Sequence, residues 1–387
     1  MSSGPLIFLI VGEASGDALG GRLMRDLKQM PGVRFMGIGG PSMKAEGLKS
    51  LFPMEELSHM GVWSILKDLP NLYGRLRYTI KTIKDVKPDT VITIDAPEFS
   101  LRVMKSLHKL PSRPKLVHYV APTVWAWRPG MAPKVAKFLD HLLCLYPFEP
   151  PLFEKHGLKA TFVGHPIAKM SFKKRKRDPN LLCVLPGSRR SELDMFLPVF
   201  RETVSLLKKD MPDLKVIIPT LPSFQERVAE EVKSWPVEVK VVVGDAKRDE
   251  AFERSWAALA ASGTVALQLA AARLPFVVAY RLGTLSGKIA RFLIKTPYAC
   301  MVNVLLGYDR LKGSSGLPRS LQDLAMTRTP WIPEFIQENC TPDKIAPSLV
   351  KLFKDSAVRE HQVEAMQEAL GLLKAPDLKG VLFFTRS

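Results

Sequence analysis

The chain has 387 residues, 46% of them hydrophobic and 24% charged. That length suits two domains better than one, and the balance excludes a disordered chain. With 56 Lys and Arg against 38 Asp and Glu, the net charge is +18. Such a surface attracts phosphate on nucleic acid, anionic lipid or a small substrate, or does no more than keep the protein solvated.

Cys144, Cys183, Cys300 and Cys340 lie far apart, in or beside apolar runs. They read as small hydrophobes in a reducing compartment and exclude a disulfide framework. The start, Met1-Ser2-Ser3-Gly4-Pro5, has no basic leader or cleavage site, so no signal peptide is expected. No apolar stretch approaches the roughly 18 residues of a spanning helix, so any membrane contact is expected at a surface.

Residues 6–11 read as an apolar strand, followed by a glycine-rich loop and a helix near 18–28. Strands at 33–37, 91–94, 116–120, 142–145 and 161–163 follow, with helical segments between them. Continuous apolar strands separated by helices predict a parallel sheet covered on both faces. The polar stretch from Lys173 to Pro179 breaks this rhythm. The pattern then restarts at 181–185, 215–218, 239–243, 256–260 and 276–280. The expectation is an α/β protein of two doubly wound domains joined near 168–180. Ligands of such sheets bind at the carboxyl ends of the strands, and two facing sheets form a cleft. The basic run 173–177 is either a lipid or nucleic-acid patch or, more simply, a solvated linker.

Four strand-end motifs are candidates for chemistry. Gly12-Glu13-Ala14-Ser15-Gly16-Asp17 follows the first strand. Its glycines allow close approach to a helix N-terminus, so it is a substrate loop or only a tight turn. Asp95, directly after the strand 91–94, is placed either to take a proton from a hydroxyl or to cap the next turn. Pro186-Gly187-Ser188-Arg189 opens the second half. An Arg beside a Gly-Ser turn at a helix start can grip a diphosphate, and a plain surface Arg is the alternative. Ser262-Gly263-Thr264 offers free N–H groups to phosphate or is an ordinary cap, and Gln268 lies one turn on, within reach of a ribose.

Two further patterns carry less. Residues 283–289 fall one short of a P-loop and lack its final Ser or Thr. The seven histidines show no metal spacing, so no metal is expected. Trp125, Trp127 and Arg128 form a dense aromatic and cationic group. It lines a sugar pocket or contributes to the core.

Together and in this order, these motifs resemble those of the lipid-A-disaccharide synthases of Gram-negative bacteria. The matching stretches are GEASGD at 12–17, GIGGPSM at 37–43, MGVWSIL at 60–66, IDAPEF at 94–99 and HYVAPTVWAWR at 118–128. FVGHP at 162–166, LPGSRRSEL at 185–193, ASGTVAL at 261–267, VNVLLG at 302–307 and PEFIQENCTP at 333–342 continue the series. The resemblance implies a GT-B glycosyltransferase with two Rossmann-like domains facing a central cleft. It places an acceptor-side domain at 1–170, a UDP-sugar domain at 171–345 and a helical tail at 346–387, whose helices are expected to pack back on the first domain.

The implied reaction joins UDP-2,3-diacylglucosamine to 2,3-diacylglucosamine 1-phosphate. It yields a β(1→6)-linked disaccharide 1-phosphate and UDP, with inversion and without a metal or cofactor. The implied location is cytoplasmic, peripheral to the inner membrane, and a homodimer is allowed. By resemblance, Asp95 is the general base, Arg189 neutralises the departing diphosphate and Asn303 takes part in activity. Glu13, Ser15 and Asp17 match the first-domain substrate loop, while Ser262, Gly263 and Thr264 match the donor-phosphate turn. Trp127, Arg128, Ser188 and Gln268 complete the expected binding set.

The apolar stretch Met60, Val62, Trp63, Ile65 and Leu66 is expected either to receive acyl chains or to pack inside. The chain departs from the family pattern in three places: Gln268 where a Glu is expected, an insertion near 312–330, and a short basic link from Pro166 to Leu181. Rival readings are another GT-B enzyme such as a UDP-sugar epimerase, a catalytically inert nucleotide-sugar binder, and a nucleic-acid-binding protein. The last is disfavoured because the aromatics cluster at strand ends instead of interleaving a basic face.

Overall fold

The computed structural model describes residues 4–58, 64–126, 129–261, 265–281, 298–315 and 330–375. The chain divides into two compact units. The first runs to Pro166 and takes back Ala375, and the second is Ile167–Lys374.

The first unit is built on β1 (Leu6–Val11), β2 (Arg34–Ile38), β3 (Thr90–Ile94), β4 (Lys115–Tyr119), β5 (His141–Cys144) and β6 (Ala160–Phe162). All six strands are parallel, in the order β2-β1-β3-β4-β5-β6. Ile7–Val11 of the LIFLIV run are fully buried, as a central strand covered on both faces requires. Helices α1 (Ala14–Leu27), α2 (Pro41–Ala45), α3 (Glu55–Ser58), α4 (Ser64–Val86), α5 (Pro97–Leu107), α6 (Ala132–Val135) and α7 (Pro150–Glu154) fill the connections. The chain order reverses between β1 and β3. That switch point opens a crevice at the carboxyl edge, flanked by the loops after these two strands.

The second unit repeats the plan. Its strands are β7 (Leu181–Leu185), β8 (Lys215–Thr220), β9 (Glu238–Val243), β10 (Ala257–Ala260), β11 (Phe276–Tyr280) and β12 (Glu334–Ile336). They are parallel in the order β12-β11-β10-β7-β8-β9, so the switch point lies between β7 and β10. The helices are α8 (Arg190–Asp210), α9 (Gln225–Glu231), α10 (Asp245–Arg254), α11 (Val265–Ala271), α12 (Met301–Ser315), α13 (Pro342–Lys354) and α14 (Ser356–Leu372). No helix among the described residues is long and apolar enough to cross a membrane.

Two findings differ from expectation. The resemblance sets the closing helices against the first domain, whereas α13 and α14 pack on the second unit. Ile345, Ala346, Leu349 and Leu352 of α13 join Phe196, Phe200 and Leu207 of α8 in one core, which makes this the apolar face's partner. The buried Gln362 of α14 accepts the N–H of Phe276 at 3.0 Å, fixing the start of β11.

The basic link is not simply solvated. Arg177 donates to the carbonyls of Phe252, Ser255, Ala272 and Arg273, and the Arg175 guanidinium reaches Glu253 at 2.7 Å. Carbonyls at helix ends lack partners within the helix. A guanidinium is the side chain with enough donors to serve the ends of α10 and α11 together. Lys173, Lys174 and Lys176 remain exposed.

Candidate active site

Asp95 directly follows β3, where the backbone turns sharply. Asp95 and Ala96 have φ of 52° and 45°, both in the left-handed region without being glycine. Such residues cost about 1–3 kcal/mol each and persist only where their surroundings fix them. Here the Asp95 N–H donates to the Tyr119 carbonyl (3.0 Å), and the Ser100 hydroxyl donates to the Asp95 carbonyl (2.9 Å). Val120, at the end of the neighbouring β4, also has a positive φ, of 78°. Three of the strained residues thus sit together on the edge where a ligand of this sheet belongs.

The carboxyl group of Asp95 is raised above the usual carboxylate range by burial. The Ala96 N–H and the Ser15 hydroxyl, both donating to it, pull the other way. Ser15 comes from the first turn of α1, on the other side of the switch point. Gly16 permits this approach, since a Cβ there would lie 3.3 Å from the Ile94 carbonyl oxygen. Glu13, exposed at the start of the same helix, adds a carboxylate to this loop. Glu13, Ser15 and Asp95, read from two separate motifs, therefore share one crevice.

Asp17 does different work. It is 3% exposed and its carboxylate accepts the N–H groups of Gly40 (2.8 Å), Ser42 (2.8 Å) and Met43 (3.1 Å). Those donors are the free N–H groups at the start of α2. Asp17 thereby stitches the GEASGD loop to the GIGGPSM loop and presents no free oxygen to a ligand through these contacts.

Beneath the crevice, fully buried His118 meets the Thr93 hydroxyl at 2.7 Å through Nδ1. Burial pushes its pKa down to about 4, so the ring is neutral at pH 7. Trp125 is half-buried, and its indole N–H reaches Glu149 at 3.3 Å. Burial pushes the Glu149 carboxyl up to about 8, against the pull of the N–H groups that donate to it. Trp127 and Arg128 lie outside the described residues, as does most of the apolar stretch 60–66.

In the second unit, Ser188 and Arg189 lie at the carboxyl edge after β7, at its switch point. Arg189 is the N-cap of α8, and its side chain is 79% exposed. Gly187, at φ 109°, makes the turn. A Cβ on it would fall 2.3 Å from Glu192 Oε2. Glu192 turns back to accept the N–H groups of Ser188 (2.8 Å) and Arg189 (3.2 Å) and pairs with the Arg189 guanidinium at 3.3 Å. The helix start thus carries its own carboxylate, a half of the capping box.

Ser262, Gly263 and Thr264, between β10 and α11 in the sequence, lie outside the described residues. Gln268 follows on α11, half-buried.

Asn303, on α12, is fully buried. Its Nδ2 donates to the Ile332 carbonyl (2.8 Å) and to Glu334 Oε1 (2.6 Å), and its Oδ1 accepts the Ile332 N–H at 3.0 Å. Glu334 also takes the N–H groups of Ala299 (2.7 Å) and Cys300 (3.1 Å) just before α12. Burial raises its carboxyl. The expected role of Asn303 at the reacting atoms meets an amide that holds main chain and a carboxylate. Residues 316–329, most of the insertion, lie outside the described residues.

Sequence reasoning passed over Glu149, Glu192 and Glu334. The capping signal for Glu192 was present, three residues after the helix start. Glu334 sits inside the PEFIQENCTP stretch and Glu149 in none of the motifs, and the partners of both are fixed only by folding. Among the described residues, no group of three His, Cys, Asp or Glu stands together as a metal site would require.

Two parallel doubly wound units, each with its switch-point crevice at the carboxyl edge, define a GT-B architecture. Solved structures with this fold include the UDP-GlcNAc 2-epimerase of Neisseria meningitidis bound to UDP-GlcNAc, with a TM-score of 0.59 at 10% identity, covering 95% of this chain and 98% of that one. The calicheamicin glycosyltransferase CalG4 gives 0.57 at 15% identity, covering 99% of both chains. At such identities the likeness is one of fold. The family model for lipid-A-disaccharide synthetase matches residues 7–313. The lipid-A-disaccharide synthase of Rhodospirillum centenum is 47% identical over 386 residues, covering 96% of this chain and 91% of that protein. The chain belongs to the lipid-A-disaccharide synthetase family.

Proposed function

We propose that the chain transfers the sugar of UDP-2,3-diacylglucosamine to the 6-hydroxyl of 2,3-diacylglucosamine 1-phosphate. The products are a β(1→6)-linked disaccharide 1-phosphate and UDP. Family membership supports the reaction, and the Asp95 turn is the observation that carries the mechanism. A carboxyl group lifted by burial, held by Ser15 and aimed from a strained edge suits a general base.

Asp95 takes the hydroxyl proton as the oxygen attacks the anomeric carbon. The bond to the UDP oxygen breaks on the opposite face, which inverts the centre. The leaving diphosphate gains negative charge, and the exposed Arg189 of the β7 turn supplies a cation to meet it. Ser188, Ser262, Gly263, Thr264 and Gln268 form the donor set, with Gln268 at the ribose. Glu13, Ser15, Trp127 and Arg128 form the acceptor set. Asp17 and Asn303 are positioning residues, because their polar atoms hold neighbouring main chain. The phosphorylated, acylated acceptor and the +18 net charge support work at an anionic inner-membrane surface.

Purified protein in detergent and EDTA, given both substrates with the acceptor radiolabelled, is expected to form the tetraacyl disaccharide phosphate. Asp95→Ala and Arg189→Ala are expected to abolish it. A folded, UDP-binding protein that makes no product overturns the reading.

A further inference from the structure

Glu149 has no part in the mechanism above, yet it is a carboxyl group only 1% exposed. Burying such a group is costly unless its oxygens are satisfied. Oε2 accepts the Tyr146 N–H at 3.0 Å, and Oε1 accepts the Trp125 indole N–H at 3.3 Å. Aromatic rings close around this pair. Trp125 stands edge-on to Phe148 at 5.5 Å and to Tyr146 at 6.4 Å, and Tyr146 stacks on His165 at 5.6 Å. The loops after β4, β5 and β6 therefore meet on one buried carboxyl group and its shell.

The strand that leads into the first of these loops is bonded to the backbone of the proposed base. Tyr119, which accepts the Asp95 N–H, is the last residue of β4, and Trp125 lies six residues on. Between them, Val120 holds a left-handed φ of 78°, costly for a β-branched residue, and its N–H donates to the Leu143 carbonyl at 3.0 Å. That backbone needs an outside hold to persist. An apolar side chain of the same size in place of Glu149 would fill the space without aiming the Trp125 ring, whereas a hydrogen bond sets its direction.

We propose that Glu149 is a positioning residue for the acceptor side: through its bond to Trp125 it fixes the 120–126 loop beside the Asp95 turn. This rests on the function proposed above and names what shapes one wall of the acceptor crevice.

The test uses Glu149→Gln, Trp125→Phe and the double variant of the full chain. Glu149→Gln keeps the shape but turns one accepting oxygen into a donor. Trp125→Phe keeps an aromatic ring but removes the N–H. Each single variant is expected to lower kcat/KM for the phosphorylated acceptor by about tenfold or more, while KM for the UDP-sugar and the Kd for UDP stay near wild type. The double variant is expected to lose little more than either single one, because both break the same bond. Independently of turnover, the indole N–H resonance that vanishes in Trp125→Phe is expected to shift in Glu149→Gln.

Wild-type acceptor kinetics in folded Glu149→Gln, equal losses for donor and acceptor, or full additivity in the double variant would overturn the proposal. An indole resonance that does not move in Glu149→Gln also overturns it, because the proposed hold runs through the Glu149–Trp125 bond, and leaves the function proposed above untouched. A wild-type protein that makes no disaccharide from the two substrates overturns the function reading and with it the acceptor-side role, whatever the indole shows.

Discussion

Asp17→Asn separates a structural carboxylate from a ligand contact. In the native protein Oδ1 accepts two N–H groups, of Gly40 and Met43, and Oδ2 accepts one, of Ser42. The substitution keeps one accepting oxygen but turns the other position toward Ser42 as an amide donor. One charge-assisted bond, worth roughly 1.5–3 kcal/mol, is lost, and the other two become neutral and weaker. The expected local cost is about 3 kcal/mol. The two units need not unfold together, so a single global transition is the wrong readout.

Hydrogen exchange of the amides of Gly40, Ser42 and Met43 reports the local opening directly. At about 1.4 kcal/mol per factor of ten, the exchange of these three is expected to quicken by about 10²-fold. The KM for donor and for acceptor, taken where the variant is folded, is expected to change little. Unchanged exchange together with a tenfold rise in either KM would refute the argument and make Asp17 a substrate contact.

Asp95→Asn is expected to lower kcat by about 10²–10⁴ with the fold retained. The raised carboxyl of Asp95 also sets the pH dependence. The base must be ionised, so kcat/KM is expected to fall as pH drops through a value above that of an ordinary Asp. A carboxyl that binds its proton more tightly when folded opposes folding once pH exceeds its unfolded value. Asp95→Asn is therefore expected to be more resistant to heat than wild type at pH 7, which thermal melts check. Glu334→Gln leaves a donor facing either the N–H of Ala299 or, at the other position, the N–H of Cys300 and the Asn303 amide. It is expected to cost about 2–3 kcal/mol, read as a lowered melting temperature of the second unit. Gln268→Glu offers a ribose diol a charged acceptor and is expected to tighten UDP binding by about tenfold, measured by calorimetry.

The strands were readable because their burial repeats in the chain itself. β1, β7 and β11 fall where continuous apolar runs predict them. Glycine-rich and acidic loops after such runs marked the carboxyl edges, and the candidates Asp95, Arg189 and Ser15 stand on those edges. β12 was missed, being three half-buried residues, Glu334–Ile336, with no apolar run of their own. α1 was expected to begin near residue 18 but starts at Ala14, because a loop motif rich in Gly and Ser hides a helical first turn.

Sequence by itself determined the α/β class, the two-fold recurrence of the pattern and the positions of the candidate strand ends, since each depends on residues close together in the chain. Tertiary structure alone decided which polar side chains line a crevice and which hold neighbouring main chain. Asp17 and Ser15 stand two residues apart, yet one faces three buried N–H groups at the start of α2 and the other faces Asp95 across the switch point. The same holds for Asn303 and Glu334, 31 residues apart and bonded at 2.6 Å. A carboxylate or amide has the same chemistry wherever it occurs; its partners are set by strand order and helix packing, which bring distant segments within hydrogen-bonding distance.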